Sequence, residues 1–454
     1  MMIILMVIYT VQSYTVFRRT SVQAKKYVFL RQNVSMFLIH LMAFLVMFLK
    51  TMDLQLLVFY AAQALYLGFT LVLYCNLYPK ASRLLINNMC MLLTIGMIMI
   101  TRLSYDWSVR QFYIIIAGTV LALIIPVIIR KMMVITKMTW AYTFVGIGLL
   151  ALVLVAASVT NGAKLSLSIG GFSFQPSEFV KIIFVFAVAG LLTEAKNFKR
   201  LAIATGLAAV HVLILVVSKD LGSALIFFIT YLVMLFVSTR NPFLVLAGLV
   251  AGAVAAVAAY FLFAHVRVRV QVWMDPFADY TNTGYQISQS LFAIAAGGWL
   301  GTGLYDGSPT AIPYVAQDCM FSAICEELGG IFAICLILVC MSCFIMFINI
   351  SMKLTNRFYR LVALGLGTTY AVQVFLTIGG ATKLIPLPGV TLPLVSYGGS
   401  SVLSTLILFA IVQGLYMLRR DEEEQDEEER RKELRQYQGP GNPPGFGEAG
   451  GQYR

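Results

Sequence analysis

The chain has 454 residues, 59% of them hydrophobic and only 12% charged, with 33 Lys and Arg against 21 Asp and Glu. A soluble globular domain carries roughly a quarter charged residues, so the composition excludes a soluble enzyme and reads as an all-α polytopic membrane protein. The net charge of +12 is read as basic loops gathered at one membrane face, with no nucleic-acid partner.

A spanning helix needs roughly 17–25 apolar residues. About thirteen runs approach or reach that length, near 2–17, 34–50, 54–76, 85–102, 111–129, 138–159, 176–194, 201–218, 220–238, 241–264, 327–351, 358–379 and 400–418. The first run lacks a basic lead and a small-residue cleavage site, so it reads as a span and not as a signal peptide. Alternate loops are rich in Lys and Arg: Arg18, Arg19, Lys25 and Lys26, then Lys80 and Arg83, then Arg130 and Lys131, and finally Arg419 and Arg420. That alternation puts the C-terminus in the cytoplasm and the 160–177, 265–326 and 380–399 loops together on the outer face. The seven cysteines are scattered without zinc spacing, and His40, His211 and His265 each read as a lone core or interface residue.

Polar residues at the ends of the apolar runs carry the chemistry. Gln175-Pro-Ser-Glu178-Phe-Val-Lys181 opens one span, with Glu178 and Lys181 three apart on one helical face. They read equally as an internal ion pair and as a pair facing substrate, because ionisable groups at membrane depth face a partner or a cavity. Lys219-Asp220 opens another span, and pairing is the simpler reading for Asp220. Arg267 and Arg269 begin the large outer loop, where they suit phosphates or lipid headgroups. That loop continues as Asp275-Pro276 and Asp279, then Gly284-Tyr285-Gln286, a polar insertion far longer than a turn requires. Asp318 follows Pro313, and Glu326-Glu327 are expected in the first turn of the next span, where the helix dipole favours acids. The stretch 384–401 holds three prolines and three glycines and is expected to be a re-entrant wall, because irregular backbone survives at that depth only inside protein or beside water. From Asp421 the chain turns acidic, then basic, then rich in Gly and Pro, and residues 421–454 read as a disordered cytoplasmic tail with at most a short charged helix.

Taken together, Gln175-Pro-Ser-Glu178-x-x-Lys181, Asp220-Leu-Gly-Ser-Ala224, the Asp275-to-Asp279 motif with Gly284-Tyr-Gln286-x-x-Gln289-Ser290, Asp318 with Glu326-Glu-Leu-Gly329, and Leu392-Pro-Leu-Val-Ser396-Tyr397-Gly-Gly-Ser400 resemble the SEDS family of shape, elongation, division and sporulation proteins. The resemblance covers roughly residues 86–420. It implies a ten-helix catalytic core over 84–420, preceded at 1–83 by about three extra spans. It also implies a peptidoglycan glycosyltransferase of the bacterial cell membrane, serving division, elongation or sporulation. Such an enzyme polymerises lipid II, an undecaprenyl-linked substrate, at the outer face and works with a class B penicillin-binding protein, the transpeptidase. By that resemblance Asp279 is the essential acid, expected to act as the base on a sugar hydroxyl with a carboxyl pKa raised by partial desolvation. Glu178, Lys181, Lys164, Asp220, Gln286, Gln289, Ser290, Asp318, Glu326, Ser396 and Tyr397 are the accompanying cavity candidates. A divalent cation, Mg2+ or Mn2+, is expected at the leaving diphosphate, with ligands that the sequence does not name. A flippase for the same precursor and a non-catalytic scaffold are the rival readings.

Overall fold

Helices dominate because a backbone in hydrocarbon must satisfy its own polar groups. The computed structural model describes residues 1–131, 133–156, 158–160, 163–169 and 172–437, with side chains described except at 133, 158–160, 163–169, 172–173 and 435–437. The chain opens with α1 (Met2–Arg18), α2 (Val22–Thr51) and α3 (Leu54–Leu77). The central series is α4 (Arg83–Leu103), α5 (Tyr105–Lys131), α6 (Thr139–Ala156), α7 (Pro176–Glu194), α8 (Phe198–Val217), α9 (Leu221–Thr239) and α10 (Pro242–Leu262). Three short helices follow, α11 (Ala264–Met274), α12 (Tyr285–Gly297) and α13 (Met320–Leu328), before the last long ones, α14 (Gly330–Lys353), α15 (Arg357–Ala381) and α16 (Gly399–Tyr437). Among the described residues twelve helices are long and apolar enough to cross a membrane, and α1 is a shorter apolar one. The chain is therefore a multi-pass membrane protein, and each apolar run of the sequence lies mainly in one helix.

Side-chain caps fix several starts. Asp53 accepts from the Gln55 N–H, Ser82 from Leu85, Asn241 from Phe243 and Asn356 from Phe358, each closing an otherwise open backbone donor. Between α6 and α7 the chain forms a small antiparallel sheet, β1 (Ser158–Thr160), β2 (Ala163–Ile169) and β3 (Phe172–Phe174), in the order β1-β2-β3.

Helix α4 is the axis of the molecule: its apolar window is buried throughout, whereas that of α10, at the rim, has no buried residue. The extra unit α1–α3 covers α4. The Tyr9 hydroxyl donates to Asn88, whose amide donates to Ser342 on α14, and the Asn87 amide donates to Gln32 on α2. Two adjacent carboxamides in the second turn of α4 thus find partners on α1 and α2, and Ser342 of α14 completes Asn88.

The bundle has two ends of different chemistry. At the basic end, Asp421 takes Lys80 at 2.7 Å and Arg130 at 2.6 Å, and Glu424 takes Lys80 at 2.5 Å. These pairs, with Arg419–Glu423 one turn apart, hold 421–437 as a continuation of α16. The charged helix that the sequence allows after Asp421 is thus formed and is longer than expected; the rest of the disordered-tail reading, at 438–454, lies outside the described residues. The other end gathers the motifs, as the sequence reading requires.

The structure corrects the expectation for Glu326 and Glu327. They lie in the last turn of α13, not the first turn of the next span, because the chain breaks at Gly329 with φ +87°. Their carboxylates hold a loop instead of meeting a helix dipole. Glu326 accepts from the Ser308 N–H, and Glu327 accepts from Arg102 at 2.8 Å and from the Tyr305 N–H.

Candidate active site

At the motif end α11, α12 and the 382–398 segment enclose a cavity of about 130 Å³. Its walls bring together Arg269 and Trp273 from α11, Thr283 from the turn before α12 and Gln286 from its start, Asp318, and Lys383 with Gly389 from the segment after α15. Two cations, one carboxylate and an aromatic ring thus share one small space.

The 382–398 segment is a wall, as its prolines and glycines suggest. It packs against α4 so closely that a Cβ at Gly96 would lie 2.7 Å from the Leu394 carbonyl oxygen. Its carbonyls are taken up by side chains of the bundle: Gln373 donates to Thr391 O, Thr377 to Val390 O and Gln111 to Ser396 O. Arg269 donates to Pro388 O and the Trp273 indole to Lys383 O, so α11 is tied to the wall across the cavity. Gly389, at φ +73°, keeps the passage open; a Cβ there would sit 3.6 Å from Asp318 Oδ2 and 3.7 Å from Arg269 Nη2. Asp318 and Arg269 therefore flank the same point.

Asp318 is the carboxylate inside the cavity. Surrounding protein drives its pKa up to about 6, with Arg269 opposing the rise. Asp279 stands half-buried at the lip, joined to the cavity through Thr283. Its carboxylate accepts from the Thr283 hydroxyl at 2.8 Å, the Thr283 N–H at 3.2 Å and the Asn282 amide at 2.9 Å. Those bonds, the Thr283 hydroxyl first, hold its pKa below the ordinary carboxylate range. The raised affinity for protons expected of Asp279 is found on Asp318 instead, because Asp279 sits in a polar turn and Asp318 beneath packed helices. Asp275, beside Pro276, spends its carboxylate on the Phe277 N–H, an Asx turn that shapes the loop.

The other candidates divide by what they touch. Gln286 lines the cavity and donates to Pro313 O at 3.1 Å. Lys181 is buried and bonds Glu178 at 2.5 Å and Gln373 at 2.8 Å, while Ser404 donates to Glu178 at 3.0 Å. This knot joins α7, α15 and α16, and through Gln373 it reaches the wall. Of the two readings for the pair, the internal ion pair is the one formed. Asp220 caps α9 through the Ser223 N–H and accepts from Ser177. Ser290 is buried, bonding Ser322 and Ala381 O. Ser396 accepts from the Leu392 N–H within its own turn, and Tyr397 stacks on Trp107 at 5.5 Å between ring centres. Glu326 anchors the 302–308 loop, and Gln289 stands on α12 outside the cavity lining. Lys164 lies on β2, but its side chain is outside the described residues. Lys383 escaped the sequence reading: nothing about a lone lysine after a helix announces it, and only the fold brings it beside Arg269.

The family model for the FtsW, RodA and SpoVE cell cycle proteins matches residues 82–421. The chain belongs to the FtsW/RodA/SpoVE family. The match begins at the Ser82 cap of α4, so α1–α3 precede the family core. RodA of Mycobacterium tuberculosis, named a peptidoglycan glycosyltransferase, is 40% identical over 278 residues, covering 58% of this chain and 59% of that protein. The chain thus spans about three-fifths of the length of these mycobacterial relatives. The stage V sporulation protein E of Bacillus subtilis is 32% identical over 71% of this chain and 92% of its own length. A chain solved in a study of how a peptidoglycan synthase complex coordinates polymerization and crosslinking superposes with a TM-score of 0.64 at 25% identity, over 75% of this chain and 98% of that one.

Proposed function

We propose that this protein is a peptidoglycan glycosyltransferase that polymerises lipid II at the outer face of the bacterial cell membrane. The observation that carries the reading is the convergence of Arg269, Lys383 and Asp318 in one cavity beside the Asp279 turn, on the core of a family whose relatives bear that activity in their names. The alternation of basic loops supports an orientation with the C-terminus in the cytoplasm and the cavity outside. A class B penicillin-binding protein is the partner that would cross-link the product. A scaffold would not require the cavity, and a flippase would spread its charges through the membrane depth.

The reaction joins a sugar hydroxyl to the anomeric carbon of a second, lipid-linked sugar. The new C–O bond forms as the bond to the polyprenyl diphosphate breaks, and the bonding pair leaves with the diphosphate. The hydroxyl proton passes to a base. Asp318, with its pKa near 6, is matched to that task at neutral pH, where general-base help is worth about 10²–10⁴-fold. Arg269 and Lys383 supply positive charge to the departing diphosphate. Asp279 stays anionic at the lip. Among the described residues no three metal-ligating side chains converge. A Mg2+ or Mn2+ ion would therefore be held as magnesium commonly is beside phosphates, by one carboxylate and the diphosphate itself. Asp279 suits that position, and the ion would neutralise leaving-group charge.

The test is direct. The purified chain with its cognate transpeptidase, given labelled lipid II, should yield glycan strands. Failure of the wild type under conditions where a family relative is active would sink the reading.

A further inference from the structure

A second cavity, of about 240 Å³, lies at the basic end between α2, α3 and α4. It sits where the extra unit α1–α3 meets the family core. Lys26 and Arg83 line it, with the carboxamides of Asn33 and Asn87, over apolar walls that include Leu71 and Ile86. Among the described residues neither cation forms an ion pair; the neighbouring Lys80 does, with Asp421 and Glu424. Within residues 1–105 the one acid is Asp53, at the far end of α2. The Asn33 carboxamide oxygen is buried without a partner, an acceptor open to a headgroup hydroxyl.

We infer that this cavity binds the headgroup of an anionic phospholipid of the cytoplasmic leaflet. The orientation is the one given with the proposed function, and glycosyl transfer itself does not enter. Lys26 to Asn33 occupy the second and third turns of α2, roughly 6–17 Å from its start at 1.5 Å per residue, the depth of headgroups and upper acyl chains. On the same turns Tyr27, Leu30 and Val34 are exposed and face lipid, so acyl chains can run along α2 while the phosphate sits between the two cations. Basic pockets between spans at the cytoplasmic face are where anionic headgroups collect. The lipid would bridge the extra unit and the core at the point where the Asn87–Gln32 bond already joins them.

Native mass spectrometry of the full chain in detergent tests this with phosphatidylglycerol, phosphatidylcholine or inorganic phosphate added. Phosphatidylglycerol should bind, phosphatidylcholine should not, and phosphate at matched concentration should not displace the lipid. The Lys26→Gln/Arg83→Gln double variant should bind about ten- to thirtyfold more weakly. Lys25→Gln/Arg31→Gln, which removes the same charge outside the cavity, should bind as wild type. Leu71→Trp, which fills the cavity and keeps both cations, should lose the lipid too. Equal loss in both double variants would reduce the site to general surface charge and overturn the inference. Unchanged binding in Lys26→Gln/Arg83→Gln, or binding of phosphate alone in place of the lipid, would overturn it as well. A glycan-synthesis assay run beside it fails or succeeds independently.

Discussion

Two carboxylates a few residues from one cavity have been given opposite proton affinities by their surroundings. Asp279 meets three hydrogen-bond donors and stays ionised; Asp318 meets packed protein and protonates near pH 6. A base works only when ionised, so a rate limited by Asp318 should fall as pH drops through about 6, whereas a carboxylate at its ordinary value would hold the rate to about pH 4. Asp318→Asn and Asp279→Asn should each lower glycan synthesis by about 10²-fold or more. They should differ in profile: residual activity of Asp279→Asn keeps the acid limb near pH 6, and that of Asp318→Asn loses it. Were the limb to persist in Asp318→Asn, the base would be elsewhere. The buried Glu178–Lys181 pair belongs to the same scale. Glu178→Gln leaves the Lys181 ammonium with the Gln373 oxygen and no counter-charge, which costs about 3–5 kcal/mol. Thermal unfolding in detergent should show that loss, and the exchanged pair Glu178→Lys/Lys181→Glu should recover part of it.

At the scale of elements, the irregular 382–398 wall organises the site. Its backbone carbonyls are held from α15 by Gln373 and Thr377, from α5 by Gln111 and from α11 by Arg269 and Trp273. Gly389 stands at its centre in a left-handed conformation that an L side chain adopts at about 1–2 kcal/mol. Gly389→Ala adds a methyl between Asp318 and Arg269 as well as that strain. Steady-state kinetics should show KM for the lipid substrate rising several-fold with a smaller change in kcat, because the methyl narrows the entrance and leaves the carboxylate in place. An unchanged KM would mean that substrate does not pass Gly389. The Arg102–Glu327–Tyr305 cluster does for the 302–308 loop what the wall does for the cavity: Arg102 bonds the carboxylate and lies 4.0 Å over the Tyr305 ring.

For the whole molecule, the two ends must lie on opposite sides of the membrane. In intact cells an impermeant thiol reagent should label Thr281→Cys, and should label Gln425→Cys only after lysis. The reverse pattern would invert the topology and remove the cavity from its proposed substrate. The extra unit α1–α3 is tied in at one end by Lys50 to Asp306 at 2.6 Å, and its link to α4 at the other by Lys80 to the extension of α16. Its removal would bare Asn87 and Asn88 on α4.

The sequence by itself determined the membrane class, the apolar helices, the shared end of the motifs and the family, because hydrophobic length, charge alternation and motif order are local or linear properties. It also marked the wall, since three prolines and three glycines in 384–401 cannot continue a helix. What the tertiary structure decided was which polar groups meet. Lys181 found Glu178 but also Gln373, and Glu178 found Ser404; Glu326 and Glu327 turned to a loop because Gly329 breaks the helix; and Lys383, unremarkable in the chain, came to line one cavity with Arg269. Above all it set Asp318 inside and Asp279 at the lip, because proton affinity follows burial and hydrogen bonds, and these are settled only when distant segments pack.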